Sequence, residues 1–244
     1  MSIEIKNIKK SYNSTEVLND ISFSIEACEC FCLLGRNGAG KTTLINIMCD
    51  FIPPDSGMIK YDGLSFSKNE LEIKQRLGVH PEIDPTIPEL TGYQYLQFVS
   101  RLHDIPESES EIRIQHLLNI FLDNHEDAFR RIGTYSRGMR LKISLCASFI
   151  HNPQYVLLDE PFANLDPVSA HKLVKYINKL CSQGAAILVS SHNLNYVEQI
   201  AHRVGILERT QLKFVGTLTE LSRDDGKIEK SLLNLLKLKK IEKF

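Results

Sequence analysis

A glycine-rich segment of the sequence carries the residue types that bind phosphate. Residues 35–42 read Gly-Arg-Asn-Gly-Ala-Gly-Lys-Thr and fit the pattern G-x-x-x-x-G-K-[ST] at every specified position. Glycines let several backbone N–H groups converge on phosphate oxygens, and a helix beginning there adds its positive end. Lys41 can bind the β- and γ-phosphates, and the Thr42 hydroxyl can bind Mg²⁺. The alternative, an accidental glycine-rich turn, is disfavoured by the predicted strand before it and the predicted helix after it.

The segment therefore predicts a site for nucleotide phosphates with Mg²⁺. The candidate phosphate-binding residues are Gly35, Arg36, Asn37, Gly38, Ala39, Gly40, Lys41, Thr42 and Thr43.

Two acids follow an apolar run later in the chain. Residues 155–158 are Tyr-Val-Leu-Leu, and Asp159 and Glu160 come next. In open parallel sheets the ligand crevice lies at the carboxyl ends of the strands, where Asp159 would meet a Mg²⁺ held by Thr42. Glu160 would point in a different direction and accept a proton from an attacking water. Many strands end in an acidic turn, so these two acids alone are a weak signal. Together with the phosphate-binding segment they indicate a nucleotide site.

The elements that position these residues follow from apolar periodicity. Residues 3–8 and 18–25 alternate between apolar and polar, which predicts half-buried strands of an antiparallel sheet. Short, continuous apolar runs predict strands buried on both faces, as in a parallel sheet, and amphipathic stretches between them predict helices. The runs are 31–34, 155–158, 186–189 and 204–207, and the main helical stretches are 41–51, 139–150 and 168–181. The expected fold class is therefore α/β, with a mostly parallel sheet and an N-terminal antiparallel β subdomain.

Residues 92–150 are more purely helical and predict an insertion into this core. Ile112, Ile114, Leu117, Leu118, Phe121 and Leu122 have helical spacing. We expect one domain over 1–244: an ATP-binding core with its β subdomain at 1–91 and 151–215, the helical subdomain at 92–150, and a helical tail at 216–244. Residues 227–244 have a basic amphipathic pattern, which is typical of a helix packed on its own domain or, alternatively, of one lying on a membrane.

Composition and charge narrow the functional classes. The formal net charge of -1 gives no electrostatic footprint for nucleic acid. The sequence has no run of about 18 apolar residues, and its first residues lack the apolar core of a signal peptide, which predicts a cytoplasmic protein. Cys28, Cys30 and Cys32 alternate; packing in a buried strand is favoured over a metal or redox cluster.

A further segment, Tyr135-Ser136-Arg137-Gly138-Met139, lies 23 residues before Asp159 (159 minus 136). It resembles the signature of ABC ATPases in a variant form found in many exporters, with Arg137 and Met139 in place of Gly and Gln. Together with the motifs above, it gives residues 1 to about 220 a resemblance to the ATP-binding subunit of an ABC transporter. That resemblance implies the P-loop NTPase fold, ATP hydrolysis, and nucleotide contacts from Ser136, Arg137, Gly138 and Met139 to the opposite subunit of a dimer.

The resemblance also implies roles for residues that are weak signals alone. Tyr12 matches the aromatic residue that stacks on adenine, and His192 matches the switch histidine near the γ-phosphate. Together with Glu160 and Lys41, His192 completes the expected catalytic set. Asp166 matches a contact to the opposite subunit; as the residue before Pro167 it is also a typical helix N-cap, and both roles can hold.

One position departs from the family. Where relatives usually have Gln, this chain has Glu82, whose carboxylate could bind Mg²⁺ or water but adds negative charge beside phosphate. The resemblance implies a separate membrane-spanning permease subunit, an ATP-dependent dimer with itself or a paralogous ATPase, and a position at the inner face of the membrane. Export is favoured by the variant signature. The alternatives are a soluble ABC ATPase of translation, DNA repair or chromosome organisation, a nucleotide-gated module without turnover, and a small P-loop kinase.

Overall fold

The computed structural model describes residues 1–222, which form two sheets flanked by helices. The larger sheet has six strands in the order β5-β6-β7-β3-β8-β9, parallel except for β9, and the smaller is antiparallel, in the order β2-β1-β4. The strands are β1 Ser2–Tyr12, β2 Thr15–Glu26, β3 Cys30–Gly35, β4 Ser56–Tyr61, β5 Leu77–His80, β6 Tyr155–Asp159, β7 Ala186–Ser191, β8 Arg203–Glu208 and β9 Gln211–Gly216. This architecture confirms the expected fold class.

Helices cover both faces of the larger sheet. They are α1 Lys41–Met48, α2 Phe66–Arg76, α3 Gly92–Leu102, α4 Glu107–Phe121, α5 Arg137–Phe149, α6 Pro167–Ser182, α7 Leu194–Ile200 and α8 Leu218–Ser222, with 3-10 turns at His125–Phe129 and Ile132–Thr134. Every residue of β3, β6 and β7 is buried, because side chains from both faces of these strands enter a core. One core lies toward α1 and the antiparallel sheet, and the other lies toward α3–α6.

Parallel pairing brings the chemistry-bearing residues to one edge. β3, β5, β6 and β7 all end at the same side of the sheet, and each leads directly into a candidate segment: the glycine-rich loop, Glu82, Asp159–Glu160 and His192. Three of these strands, β3, β6 and β7, follow from their apolar runs alone, and β5 does not.

The helix predicted at 41–51 is too long, because α1 ends at Met48. Asp50 has a φ of 59°, a left-handed conformation that a helix cannot continue through, and Pro53 and Pro54 follow.

The helical character of 92–150 is confirmed by α3, α4 and α5, with one correction. Ile114 is fully buried in α4, whereas Ile112 is 70% exposed. Residues two positions apart lie on nearly opposite sides of a helix, so the two isoleucines cannot share a buried face. A capping box between Thr91 and Gln94 fixes the start of α3.

The alternating cysteines do not share one strand. Cys30 and Cys32 are buried in β3 on the same core, but Cys28 lies in the preceding turn, is exposed and has a φ of 62°. The strand begins two residues later than the alternation suggested.

Across residues 1–222, no helix combines the length and hydropathy needed to cross a bilayer. The tail helix predicted at 227–244 lies outside the described residues.

Candidate active site

The glycine-rich segment forms a loop between β3 and α1. Gly40 is the N-cap of α1, with a φ of 102°, and no side chain caps the helix. A Cβ at Gly40 would lie 2.9 Å from Cδ2 of Leu18 and 3.0 Å from the Val17 carbonyl oxygen, so only glycine fits. The first N–H groups of α1 are therefore free of a side-chain cap and can bind an anion.

Lys41 is buried on the inside of this loop, with 6% of the residue exposed. Its ammonium donates to the carbonyl oxygens of Gly35 (2.9 Å) and Arg36 (3.3 Å). It also forms an ion pair with Glu160, at 3.4 Å from Nζ to Oε1. The carbonyls and this carboxylate compensate a buried cation, so the charge is held at the mouth of the loop.

Asp159 ends β6 and carries an unpaired carboxylate oxygen. It is 2% exposed; Oδ1 accepts a hydrogen bond from Ser190 on the neighbouring strand β7, and Oδ2 has no hydrogen-bond partner among the described residues. Burial raises the pKa of Asp159, the hydrogen bond from Ser190 and the nearby Thr42 hydroxyl oppose that rise, and the nearby carboxylates of Glu82 and Glu160 add to it. A buried carboxylate oxygen without a partner is costly, and a cation would relieve that cost.

Glu82 follows β5 and reaches the start of α1. The Thr42 hydroxyl donates to Oε2 of Glu82 at 3.1 Å. Thr42, Glu82 and Asp159 thus offer one hydroxyl and two carboxylates, the hard oxygen donors that Mg²⁺ prefers. The unpartnered oxygen of Asp159 supports that fit.

Glu160 is turned away from Asp159 by its backbone. Its φ is 49°, and its N–H group donates to Oγ of Ser190 (2.9 Å) and to the carbonyl oxygen of the same residue (3.2 Å). A left-handed, non-glycine residue is uncommon and is often found where function constrains the backbone. The side chain then meets His192, at 2.9 Å from Oε2 to Nδ1. The structure therefore brings Lys41, Glu160 and His192 together, as the sequence led us to expect.

The signature-like segment forms the N-terminus of α5. Ser136 is the N-cap, exposed to solvent, and its Oγ accepts a hydrogen bond from the N–H of Met139 at 3.3 Å. Arg137 lines a cavity of about 200 Å³ together with Glu82, Glu160 and other residues of the same chain. Ser136 and Met139 do not line it, so the segment lies at the edge of this cavity, with Arg137 inside it and the Ser136 side chain outside.

Gly138 places this segment against the turn that follows Glu160. A Cβ at Gly138 would lie 3.1 Å from the carbonyl oxygen of Asn164, itself left-handed with a φ of 66°. The signature-like segment and the 163–166 turn are therefore neighbours within one chain.

Asp166 is confirmed as the N-cap of α6. Oδ1 accepts from the N–H of Ser169 at 2.8 Å, and Oδ2 accepts from the Ser169 hydroxyl at 2.6 Å. The Lys142 ammonium of α5 lies 3.3 Å from Oδ2 and also 3.3 Å from Asp123. The Ser169 hydrogen bonds, followed by Lys142, hold the pKa of Asp166 far below its usual range. Both carboxylate oxygens are thus engaged within the chain.

Tyr12 stands apart from the catalytic cluster. It ends β1, where the chain turns into β2 opposite Thr15, and the residue is 45% exposed. An exposed aromatic ring at a strand end can take a planar ligand on its face.

Three hydrogen bonds at this edge were not predicted from the sequence. Ser190 holds both Asp159 and Glu160, and His80, at the end of β5, lies 2.8 Å from the Ser144 hydroxyl of α5. Burial lowers the pKa of His80 to about 4, so the ring is neutral at neutral pH. The available signal was a polar residue closing an apolar strand, which applies to Ser190 and is weak by itself.

Comparison with known proteins places the chain among ATP-binding proteins of one family. The sequence model described as "ABC transporter" matches residues 18–163. The linearmycin resistance ATP-binding protein LnrL of Bacillus subtilis (strain 168) is 32% identical over 219 residues, covering 90% of this chain and 70% of LnrL.

The Nod factor export ATP-binding protein I of Burkholderia orbicola (strain AU 1054) is 31% identical over 207 residues, covering 84% of this chain and 67% of that protein. Among solved structures, an ATP-binding subunit of an ABC transporter superposes with a TM-score of 0.90 at 28% identity, covering 96% of this chain and 99% of that one.

Proposed function

Since this chain belongs to the ABC transporter family, as one of its ATP-binding ATPase components, we propose that it hydrolyses ATP to power export through a separate membrane-spanning subunit. The single observation that carries the catalytic assignment is the convergence of Lys41, Glu160 and His192 at the end of the glycine-rich loop.

Each residue of this cluster has a role that follows from its contacts. Lys41 is held at the loop mouth and binds the β- and γ-phosphates, exchanging its ion pair with Glu160 for phosphate oxygens. Glu160, released from that pair, orients a water and takes its proton. His192 keeps its contact to Glu160 and faces the terminal phosphate. Because the groups are positioned by strand ends, the chain contributes mainly orientation and charge.

Thr42, Asp159 and Glu82 would hold Mg²⁺, with Glu82 replacing the usual Gln. When bound, the ion neutralises phosphate charge that the two carboxylates would otherwise repel. The remaining phosphate contacts come from the backbone of residues 35–43 and the uncapped start of α1.

The N-terminus of α5 completes a second chain's site. Ser136 is exposed and outside its own chain's cavity, which supports a head-to-tail dimer in which Ser136 to Met139 face the nucleotide of the opposite subunit. The opposite subunit is a second copy or a paralogue. Because the Asp166 carboxylate is engaged with Ser169 and Lys142, we assign its contribution to the dimer to the shape of the 163–166 turn.

Export is favoured by two observations: the variant signature, and the relatives that act in resistance and in Nod factor export by their names. We also propose the division into an ATP-binding core with a β subdomain (1–91 and 151–215), a helical subdomain (92–150) and a C-terminal segment (216–244), at the cytoplasmic face of the membrane through the permease.

The test is Glu160→Gln, which keeps the shape of the side chain and removes its ability to take a proton. We expect ATP binding to persist while phosphate release falls by about 10² to 10⁴-fold. ATP should then trap a dimer, seen as a doubled mass in light scattering. The matched control is Glu198→Gln, at an exposed acid without a side-chain ion pair among residues 1–222, which should behave as wild type. Turnover within a few-fold of wild type for Glu160→Gln would assign the base to another residue.

A further inference from the structure

Lys10 lies beside the aromatic ring of Tyr12. The two residues are two positions apart on β1 and therefore share one face of the strand. The Lys10 ammonium lies 5.5 Å from the centroid of the Tyr12 ring, within the range of a cation–π contact. Only 12% of the Lys10 side chain is exposed, which is unusual for a surface lysine.

The Lys10 ammonium is held by the segment that follows α1. It donates to the carbonyl oxygen of Pro53 at 2.7 Å and to Oδ1 of Asp55 at 3.1 Å. The other carboxylate oxygen of Asp55 accepts from the N–H of Ser11 at 2.7 Å. One acid thus fixes both the Lys10 side chain and the backbone next to Tyr12.

These contacts connect two parts of the nucleotide site. α1 begins at the phosphate-binding loop. Residues 49–55 follow the end of α1 and include Pro53 and Asp55, which hold the Lys10 ammonium. Tyr12, at the end of β1, is the expected platform for adenine. The mostly covered Lys10 ammonium therefore links the segment after α1 to the Tyr12 ring through three contacts.

We propose that Lys10 is a positioning residue for the nucleotide base: it fixes the Tyr12 ring in the orientation that stacks on the base. The proposal rests on the proposed function, specifically on Tyr12 as the base platform. Lys10 covers part of the ring, and the exposed remainder is left for a planar ligand. A Tyr12 ring that is already fixed by Lys10 loses less conformational freedom when the base binds. The Lys10 contacts therefore favour base binding and leave phosphate binding unchanged.

Two ligands separate base binding from phosphate binding. Adenosine 5′-(β,γ-imido)triphosphate carries base, ribose and phosphates, and inorganic tripolyphosphate carries phosphates alone. Both are titrated in the presence of Mg²⁺ into the full chain, and the ratio of their dissociation constants is the readout. A disturbance of the glycine-rich loop or of folding changes both constants, whereas loss of base positioning changes only the first.

The variants are Lys10→Met, Lys10→Arg, Tyr12→Ala and the double variant Lys10→Met with Tyr12→Ala. Lys9→Met is the matched control, because Lys9 is the exposed neighbour on the same strand and makes no side-chain hydrogen bond or ion pair with residues 1–222. Lys10→Met should weaken the imidotriphosphate about 3- to 5-fold, with tripolyphosphate unchanged. Lys10→Arg should restore the ratio, since guanidinium also binds carboxylate and aromatic faces. Tyr12→Ala should weaken binding of the imidotriphosphate at least as much as Lys10→Met does. The double variant should bind it no more weakly than Tyr12→Ala alone.

Three results would overturn the proposal. Equal weakening of both ligands by Lys10→Met would assign Lys10 to general stability. If Lys10→Met and Lys9→Met had the same ratio of dissociation constants while Tyr12→Ala remained impaired, Lys10 would have no role in positioning the base. Tyr12 would still be the base platform. An unchanged ratio of dissociation constants in Tyr12→Ala would show that Tyr12 does not bind the base, and the base-site assignment would be wrong. The phosphate site and the Glu160→Gln test do not depend on that assignment.

Discussion

The N-termini of α1 and α5 are both candidate phosphate-binding ends, yet they are built differently. At α1, Gly40 leaves the first N–H groups without a side-chain cap, and the buried Lys41 is joined by side chains from the ends of other strands. At α5, Ser136 caps its own helix and stands exposed. A helix N-terminus alone binds an anion weakly. We therefore expect the two ends to differ in anion affinity because they differ in the number of other groups that converge on them.

Under the proposed function, α1 carries its phosphate site within the chain, whereas α5 supplies part of a site to the opposite subunit. Sheet topology explains this. The α1 loop follows β3, and the parallel strands β5, β6 and β7 end at the same edge of the sheet and supply further groups, while α5 follows a 3-10 turn in the helical subdomain.

Among the variants that compare the two helix ends, the largest effect is expected from Lys41→Ala at the α1 end. Removal of the ammonium should lower turnover by about 10² to 10³-fold and lose most ATP affinity, because no other described cation contacts the loop carbonyls of Gly35 and Arg36. Phosphate release and nucleotide binding are the measurements, with Lys9→Ala as control. Near wild-type values for both would mean that α1 is not the phosphate site.

The α5 end is tested by complementation. Ser136→Asp retains an N-cap but places negative charge toward phosphate, so the variant alone should lose about 10²-fold in turnover. An equal mixture of Ser136→Asp and Lys41→Ala should recover about a quarter of wild-type activity. With random pairing, about half of the dimers are mixed, and each mixed dimer has one intact site of its two. Thr91→Asp, the same change at the N-cap of α3, should stay active. A mixture as inactive as its parts would show that α5 does not serve a second subunit.

Glu82 stands between the two ends, because it contacts Thr42 of α1 and follows β5, which packs on α5. Glu82→Gln should keep activity within about threefold, since an amide oxygen can replace the carboxylate oxygen. Glu82→Ala should lower partner-stimulated turnover about tenfold with a smaller change in ATP affinity. Basal and stimulated ATPase are compared. Unchanged stimulation in Glu82→Ala would move the coupling role to another part of the helical segment.

The smallest effect concerns acid stability beyond the C-terminal end of α5. His151 stacks on His103 at 3.7 Å between ring centroids; burial, then the charge of His103, lowers the pKa of His151 to about 3. The unfolded chain binds the proton near pH 6.5, so stability is present above that pH and falls as pH drops from about 6.5 toward 3. The slope is at most about 1.4 kcal/mol per pH unit.

Urea unfolding at pH 7, 6 and 5 measures this loss. His151→Gln should flatten the pH dependence, and His116→Gln, at an exposed histidine, should not. His80 also titrates low and contributes to the wild-type slope, so the difference between the two variants is the informative quantity. Equal slopes would exclude His151 as the acid-sensitive group.

The sequence predicted the elements whose patterns are local. The apolar runs at 31–34, 155–158 and 186–189 became β3, β6 and β7, and Asp166 before Pro167 became an N-cap. The roles of the site residues remain predictions, although the structure groups Lys41, Glu160 and His192 as expected.

What was missed depends on packing between distant segments. β5 mixes Gly78 and His80 with only two aliphatic residues, so no apolar run marks it. It forms a strand because glycine permits close approach: a Cβ at Gly78 would lie 2.2 Å from the carbonyl oxygen of Ser148 on α5. The Lys142 ion pairs with Asp123 and Asp166 are equally non-local.

The position of β3 in the sheet also bears on where the chain can be cut. β3 lies between β7 and β8, and both strands come after residue 163, the end of the stretch that matches the family. A fragment of residues 18–163 would contain every residue of the glycine-rich loop but neither hydrogen-bonded neighbour of the strand that carries it. A Cβ at Gly35 would lie only 2.6 Å from the Leu207 carbonyl oxygen, so the loop itself rests on β8. The recognisable stretch is therefore not an autonomous folding unit, and a nucleotide-binding fragment must extend through Glu208.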